Sequence, residues 1–432
     1  MPPSATPAEA VLRPGPAAVT LEVTALGAGG DGIVELPDGR AFVPLALPGE
    51  IVRARRAGSR AGHGVYEPEA WLREAPDRAQ PCCRHFGACG GCAVQHLADA
   101  AYDDWKRGLL VGALARAGFA AAAVAPLVRT PPGTRRRADF ALARQAGRVA
   151  VGFHARRGST VQDLAACPVL HPDLSALVAP LRALLAERMC LKRTGSAVVN
   201  LLDRGPDLLL RTEAPPDIAA RDRLVAFARA NRLVRVSWAA QGGEPETIAV
   251  LRPPTIALSG RAVTAPPGAF LQASAEGETA ILAALLTGLP AGAKRVADLY
   301  AGLGTLAFAL AGHGSVAAFE GDAAAVAALA AAAGGAGVRA VRRDLARRPL
   351  QPGELAAFDA VVLDPPFAGA AAQVAAIAAS RVRHVAYVSC NPASLARDGR
   401  HLREGGFALA SATPIDQFLW SAQLEAVAHF HR

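Results

Sequence analysis

Cys390 carries the clearest chemical promise in the chain. It closes the apolar run Val385-Ala-Tyr-Val-Ser389, and Asn391-Pro392 opens the helix expected next. The positive end of a helix dipole favours a thiolate, which makes Cys390 a candidate nucleophile. Two acids have comparable addresses. Asp364 follows Val361-Val-Leu363, and Pro365-Pro366 stiffen the loop that fixes its carboxylate at the rim. Glu425 stands in Gln423-Leu-Glu425, on the last expected strand. A thiol, an orienting acid and a base suit methylation of a pyrimidine at carbon 5. That carbon is a poor nucleophile until a thiolate adds at carbon 6 and turns the ring into an enolate. A base must then remove the carbon 5 proton so that the thiolate is expelled. A target inside a duplex would have to be flipped out. Cys390 fits the nucleophile, Asp364 the orienting acid and Glu425 the base.

A second group of reactive side chains is sulfur alone. Of seven cysteines, Cys82, Cys83, Cys89 and Cys92 crowd one short segment, while Cys167, Cys190 and Cys390 are scattered. Counted from Cys83 the segment reads C-x5-C-G-G-C, and its glycines let the backbone curl until three thiolates converge. Cys167, in Ala-Ala-Cys-Pro, is the expected fourth ligand. Four thiolates suit zinc or an iron–sulfur cluster. Zinc sites usually show two close pairs, so three plus one with a following proline leans to iron–sulfur. Cys82 competes with Cys83, at a spacing to Cys89 one residue longer. In a cytosolic chain such crowding reads as metal binding, not as disulfides.

The crevice that would bring these groups to a methyl donor is Arg295-Val-Ala-Asp-Leu-Tyr-Ala-Gly-Leu-Gly-Thr305. It reads as a buried strand containing Asp298, a glycine turn at Gly302 and Gly304, and a helix from Thr305. The third glycine of a dinucleotide turn would fall at Ala307, and no Walker lysine follows Gly304. About twenty residues on, Glu320 ends a second strand, where a ribose diol is held. Turn and acid together fit S-adenosylmethionine better than NAD. Strands and helices alternate from there to the C-terminus, the pattern of a doubly wound α/β domain, whose ligands sit at the carboxyl ends of the strands. Glu320, Asp344, Asp364 and Cys390 all fall at such ends. Gln272 precedes a helix expected over 276–286 and would overhang the crevice.

Upstream, five short strands within 17–75 suggest a small barrel of the OB type, with Arg53, Arg55, Arg56 and Arg60 on a basic face. Such a barrel either binds single-stranded nucleic acid or is purely structural. A central α+β layer follows, within 76–275. It includes an amphipathic helix at 102–118 and Arg135-Arg-Arg137 at a strand entrance, either a phosphate or base grip or a solvated charge run. The net charge of +9 and pI near 9.6, supplied almost wholly by arginine, accord with a polyanion partner or with an Ala-Arg-Gly compositional bias. Residues 1–16 read as a loose tail without signal-peptide order. No apolar stretch resembles a membrane span, so a cytoplasmic chain is expected, with a monomer as the default because the sequence does not encode oligomeric state legibly.

With these motifs in hand, the chain resembles the iron–sulfur-containing RNA (uracil-5-)-methyltransferases that act on large-subunit ribosomal RNA. The resemblance rests on the N-terminal barrel (called TRAM in that family), C-x5-C-G-G-C, Gly152-Phe-His154 with Cys167-Pro168, Phe270-Leu-Gln272, Asp298-Leu-Tyr-Ala-Gly-Leu-Gly304, Asp364-Pro-Pro366 and Ser389-Cys-Asn-Pro392. It implies a class I S-adenosylmethionine-dependent methyltransferase domain over 276–432. It further implies that Cys83, Cys89, Cys92 and Cys167 hold a [4Fe-4S] cluster. Gln272, Tyr300, Thr305, Glu320, Asp344 and Asp364 would line the methyl-donor and uracil sites, with Arg135 near the flipped base. Cys390 would be the nucleophile and Glu425 the proton acceptor, and the partner would be RNA, ribosomal in preference to transfer RNA. The chain departs from the family at Phe367, where an arginine is usual, at Ser274, where an asparagine is usual, and in Leu419-Trp-Ser-Ala-Gln423. Asp-Pro-Pro-Phe also occurs in methyltransferases of exocyclic amines, which need no cysteine. An RNA-binding or assembly protein that keeps the fold without turnover is the alternative of another class.

Overall fold

The computed structural model describes residues 17–119, 124–145, 147–187 and 190–432; the tail expected at 1–16 lies outside them. The chain divides into two compact units, one of the described residues to Gln80 with His96–Ala98, the other of Pro81–Gln95 and Asp99–Arg432.

The first unit is one sheet of six strands, not five: β1 (Val19–Glu22), β2 (Ala25–Leu26), β3 (Gly32–Leu36), β4 (Gly39–Val43), β5 (Ile51–Arg60) and β6 (His63–Arg73). Their order is β1-β5-β6-β4-β3-β2. The two outermost strands are successive in the chain, so the sheet curls back on itself. Three register shifts between β5 and β6 supply the bending. Val23, Val34, Val43, Val52 and Ala54 fill the interior, while Arg53, Arg55 and Arg56 of β5 are exposed, the first two beside Glu69.

The second unit opens with α1 (Asp99–Arg116) and β7 (Val128–Arg129). A central sheet follows, made of β8 (Arg137–Gln145), β9 (Arg148–His154), β10 (Val161–Asp163), β11 (Thr194–Leu202), β12 (Gly205–Thr212), β13 (Arg235–Ala240) and β14 (Glu246–Val250). Beside it run α2 (Pro172–Ala176), α3 (Val178–Ala186) and α4 (Ile218–Ala230). A single helix is expected over 174–189; the structure breaks it at Leu177, and Met189 lies outside the described residues. Pro180 explains the break. It cannot donate to Ala176, but it is tolerated in the first turn of a new helix. A hairpin, β15 (Thr255–Leu258) and β16 (Arg261–Thr264), was not expected.

The C-terminal elements are α5 (Ala275–Thr287), β17 (Arg295–Leu299), α6 (Thr305–Leu310), β18 (Ser315–Glu320), α7 (Ala323–Ala332), β19 (Val338–Arg342), α8 (Pro352–Leu355), β20 (Ala360–Leu363), α9 (Ala371–Ala378), β21 (His384–Ser389), α10 (Pro392–Glu404), β22 (Ala408–Asp416) and β23 (Glu425–His431). The sheet order is β19-β18-β17-β20-β21-β23-β22-β7. Successive strands run outward from β17 to β19, and the chain then returns to β20. This reversal opens a crevice at the carboxyl ends of β17 and β20, where ligands of such sheets bind. Val361 and Leu363 pack one face with Leu110, Val374 and Leu395; Ala360 and Val362 pack the other with Ile281, Leu285 and Leu306.

The eighth strand, β7, comes from the far end of the sequence. It pairs with Ile415–Asp416, and α1 binds the same place. The Lys106 ammonium lies 2.9 Å from Asp416 Oδ1, both side chains wholly buried. Lys106 also donates to the carbonyls of Phe418 and Gln423, and Tyr102 donates to Asp416 while accepting from the Trp420 amide.

Candidate active site

Cys390 and Glu425 are brought together by sheet register. In the antiparallel pair β21–β23, Ser389 faces Ala426, which leaves Cys390 and Glu425 as the next residues on the two strands, close enough for the Glu425 carboxyl to act on the thiol. β23 runs against the parallel strands, so its first residue stands on the same rim as their carboxyl ends. Asp364 reaches that rim from β20. Its Oδ2 accepts from Gln272 Nε2 at 3.0 Å, so Gln272 does overhang the crevice. Ser274, two residues on, caps α5 by accepting from Gly277 N–H at 3.0 Å, the service an asparagine would also give.

Sequence reading missed the residue that ties these groups together. Gln417, buried at the end of β22, accepts from the Ala273 N–H at 3.0 Å and donates to Gln272 Oε1 at 2.8 Å and to Glu425 Oε2 at 2.7 Å. Its signal was weak, because the alternation of 407–412 stops before Pro414 and leaves Gln417 looking like loop. Arg136, not Arg135, reaches this neighbourhood. It donates to the Gln272 carbonyl at 3.1 Å and pairs with buried Glu278 at 2.5 Å.

The electrostatics run against one expectation. Helix α10 does begin beside Cys390, yet the thiol is pushed up to about 12 by burial, by Glu425 and by Asp364. Two nearby acids in a water-poor rim outweigh one helix N-terminus. Burial pushes Asp364 up to about 6, against the Gln272 bond that favours its charge. Burial and Asp364 together hold Glu425 well above the usual carboxylate range, and its Oε1 has no hydrogen-bond partner among the described residues.

A second cluster lines the glycine turn. Tyr300 (φ 64°) is left-handed without being glycine, a strained conformation at a strand end. Gly304 (φ 94°) caps α6, and a Cβ there would sit 2.3 Å from Leu329 Cδ1, so only glycine fits. Glu320 accepts from Gly302 N–H at 2.9 Å and from Asp322 N–H at 2.8 Å. It borders a cavity of about 540 Å³ shared with Gly302, Leu303, Phe270 and Arg211. Thr305 opens α6, and the exposed Asp344 accepts from the Ala346 and Arg347 amides. Burial, Asp398 and Asp344 push Tyr300 up to about 12. Asp298 lies beneath both clusters. Its wholly buried carboxyl is raised well above the usual range by burial, then by Asp364 and by Glu320; the Ala307 amide faces it without completing a hydrogen bond.

The third group is the sulfurs. Cys83, Cys89, Cys92 and Cys167 line one cavity of about 280 Å³ with Phe86, Phe153 and Leu170; Cys82 is exposed and not part of that lining. Three of the lining sulfurs each accept an N–H: His85 N–H to Cys83, Gly91 N–H to Cys89 and Gln95 Nε2 to Cys92, while the Val169 and Leu170 amides act on Cys167 to favour its thiolate against burial. Among the described residues no three His, Cys, Asp or Glu side chains surround a single ion. Arg135 belongs to this cavity, its guanidinium 5.9 Å from the Phe418 ring. No described contact joins it to Cys390, Asp364 or Glu425.

A parallel sheet with this reversal, glycine turn and strand-end acid defines the class I S-adenosylmethionine-dependent methyltransferase fold. The family described as Methyltransferase small domain matches residues 260–388. Similarity extends over almost the whole chain to an uncharacterized RNA methyltransferase of Brucella suis, 42% identical over 421 residues (94% of this chain, 96% of the relative). An uncharacterized RNA methyltransferase of Caulobacter vibrioides is 41% identical over 430 residues (95% and 99%). The 23S rRNA (uracil(1939)-C(5))-methyltransferase of Chromohalobacter salexigens is 34% identical over 422 residues (94% and 88%). The chain belongs to the family of RNA methyltransferases that these relatives form. Its fold is also that of the Pyrococcus abyssi tRNA (uracil-54, C5)-methyltransferase solved with S-adenosyl-L-homocysteine, with TM-score 0.72, 20% identity and coverage of 95% of this chain and 100% of that one. No described helix is long and apolar enough to cross a membrane.

Proposed function

We propose that this RNA methyltransferase methylates carbon 5 of a uridine through a covalent adduct of Cys390. The observation that carries the reading is the convergence of Cys390, Asp364 and Glu425 on one rim at the sheet reversal. S-Adenosylmethionine supplies an electrophilic methyl group, and its sulfonium charge opposes the acids that keep the Cys390 thiol protonated. Tyr300, Gly302, Gly304, Thr305, Glu320 and Asp344 would hold it, with Asp298 supporting the turn from below. Asp364, held by Gln272, would orient the uracil. Cys390 would lose its proton to water and add as thiolate to carbon 6, and carbon 5 would take the methyl group, leaving the donor as a neutral thioether. Glu425 then accepts the carbon 5 proton, the ring double bond re-forms, and the carbon–sulfur bond breaks. The exposed rings of Phe270 and Phe367 are suited to stacking on unpaired bases beside the target. Ribosomal RNA is the favoured substrate, since the relative with the matching activity acts on 23S rRNA.

The same reading assigns a [4Fe-4S] cluster to Cys83, Cys89, Cys92 and Cys167. Four soft donors around a shared cavity, each sulfur facing N–H groups, fit a polynuclear cluster better than one ion. Its role would be structural, and no chemical step is assigned to it.

RNA carrying 5-fluorouridine tests the chemistry. Fluorine at carbon 5 cannot leave as a proton, so the enzyme should remain covalently attached, and Cys390→Ala should abolish the attachment. An active Cys390→Ala variant would instead support exocyclic-amine methylation. Nucleoside mass spectrometry of RNA from cells lacking the protein should show loss of one 5-methyluridine.

A further inference from the structure

Gln417 holds Glu425 in a fixed orientation. Its amide cannot be turned over: the exchange would set Nε2 against the Ala273 N–H, and Oε1 against both the Glu425 carboxyl and Gln272 Oε1. Both N–H groups of the amide are therefore committed. One oxygen of Glu425 is tied, and the other is left open, without a hydrogen-bond partner among the described residues, in a carboxyl whose charge Cys390 feels.

The space for Gln417 is built by a neighbouring residue. Gly277 lies in the first turn of α5, and a Cβ there would come within 2.7 Å of Gln417 Cβ and 3.0 Å of its Oε1. No left-handed backbone angle is recorded for Gly277, so torsion does not demand glycine there. Glycine weakens a helix; what it supplies here is room. The turn itself is anchored by the Ser274 cap and by Glu278 on Arg136.

We propose that Gln417, lodged against Gly277, is the positioning residue that points the open oxygen of Glu425 at the carbon 5 proton. It governs release of the methylated base, not its methylation. In that step the carbon 5–hydrogen bond breaks and the proton passes to Glu425 Oε1. The electron pair forms the ring double bond, and Cys390 leaves carbon 6 as thiolate. The inference rests on the role given to Glu425 above.

The test uses the full-length protein, S-adenosylmethionine and unsubstituted uridine RNA in single turnover. Denaturing gels read the covalent complex, and mass spectrometry reads the methyl group on it. Gln417→Leu and Gly277→Ala should both accumulate an adduct that already carries the methyl group, with release slowed about 100-fold. Both should bind S-adenosylmethionine as the parent does. Gly277→Ala crowds Gln417 and the Ser274 cap, so retained S-adenosylmethionine binding, and agreement with Gln417→Leu, separate its effect from unfolding. Failure of the parent to form a complex with 5-fluorouridine RNA overturns the underlying reading and the inference with it. If the parent forms that complex, release at the parental rate by both variants overturns the role of Gln417 alone. So does a loss of turnover without methylated adduct.

Discussion

The thiol of Cys390 faces opposing influences, and their balance can be measured. With burial and two acids holding it up to about 12, the thiolate fraction rises through the accessible range. Iodoacetamide modification of Cys390, followed by peptide mass spectrometry, should therefore accelerate about 10-fold per pH unit between pH 7 and 10. S-Adenosylmethionine should raise the rate at fixed pH if its charge offsets the acids. Asp298 gives a second prediction. Its folded pKa lies above the unfolded value, so its favourable contribution is present below the unfolded pKa and lost as pH rises through the folded one. Above the unfolded pKa, folding must either take up a proton at Asp298 or bury its charge, and both oppose folding. Asp298→Asn should raise the melting temperature by about 2–4 °C while weakening S-adenosylmethionine binding; calorimetry and titration check the two halves. The strand-end positions of Cys390, Asp364 and Glu425 were legible from the sequence because each follows or begins an apolar run. The protonated state of the thiol was not, because the neighbours that impose it come from strands about 30 residues away on either side.

At the scale of elements, the segment between β22 and β23 matters most. Trp420 O accepts from the Ala93 and Val94 amides, Lys106 grips Phe418 O and Gln423 O, and Gln417 donates to Gln272 and Glu425. Lys106→Met strips Asp416 of its buried counter-charge and should cost about 3–5 kcal/mol by denaturant unfolding. The parallel strands β17 to β21 could be read from short apolar runs bounded by glycine, proline and acids. β7 and the β15–β16 hairpin could not, since strands of two and four residues carry no periodicity. Pro414 disguises the end of β22, yet the strand tolerates it, because β7 pairs only with Ile415 and Asp416. In the cysteine segment, sequence left Cys82 and Cys83 in competition, and the cavity includes only Cys83. Protein purified without oxygen should carry about four irons and absorb visible light. Cys83→Ser should lose both properties and Cys82→Ser should keep them.

At the scale of the whole molecule, charge and topology dominate. Arg53, Arg55 and Arg56 form an exposed basic row on the first unit. Reversing all three to glutamate should weaken RNA binding similarly across sequences and reduce the slope of log affinity against log salt by about 3. S-Adenosylmethionine binding should be unaffected; filter binding across a salt series reads both. The topology also bears on biosynthesis. Lys106 meets Asp416 across 310 positions of chain, and β7 waits nearly as long for β22. While the protein is being translated, α1 emerges early with an ammonium meant for an apolar interior, and its anion does not follow until 310 positions later. A polypeptide that stops short of Asp416 therefore cannot complete this sheet. An unfinished copy should be a substrate for quality-control proteases, not a partly active enzyme on RNA.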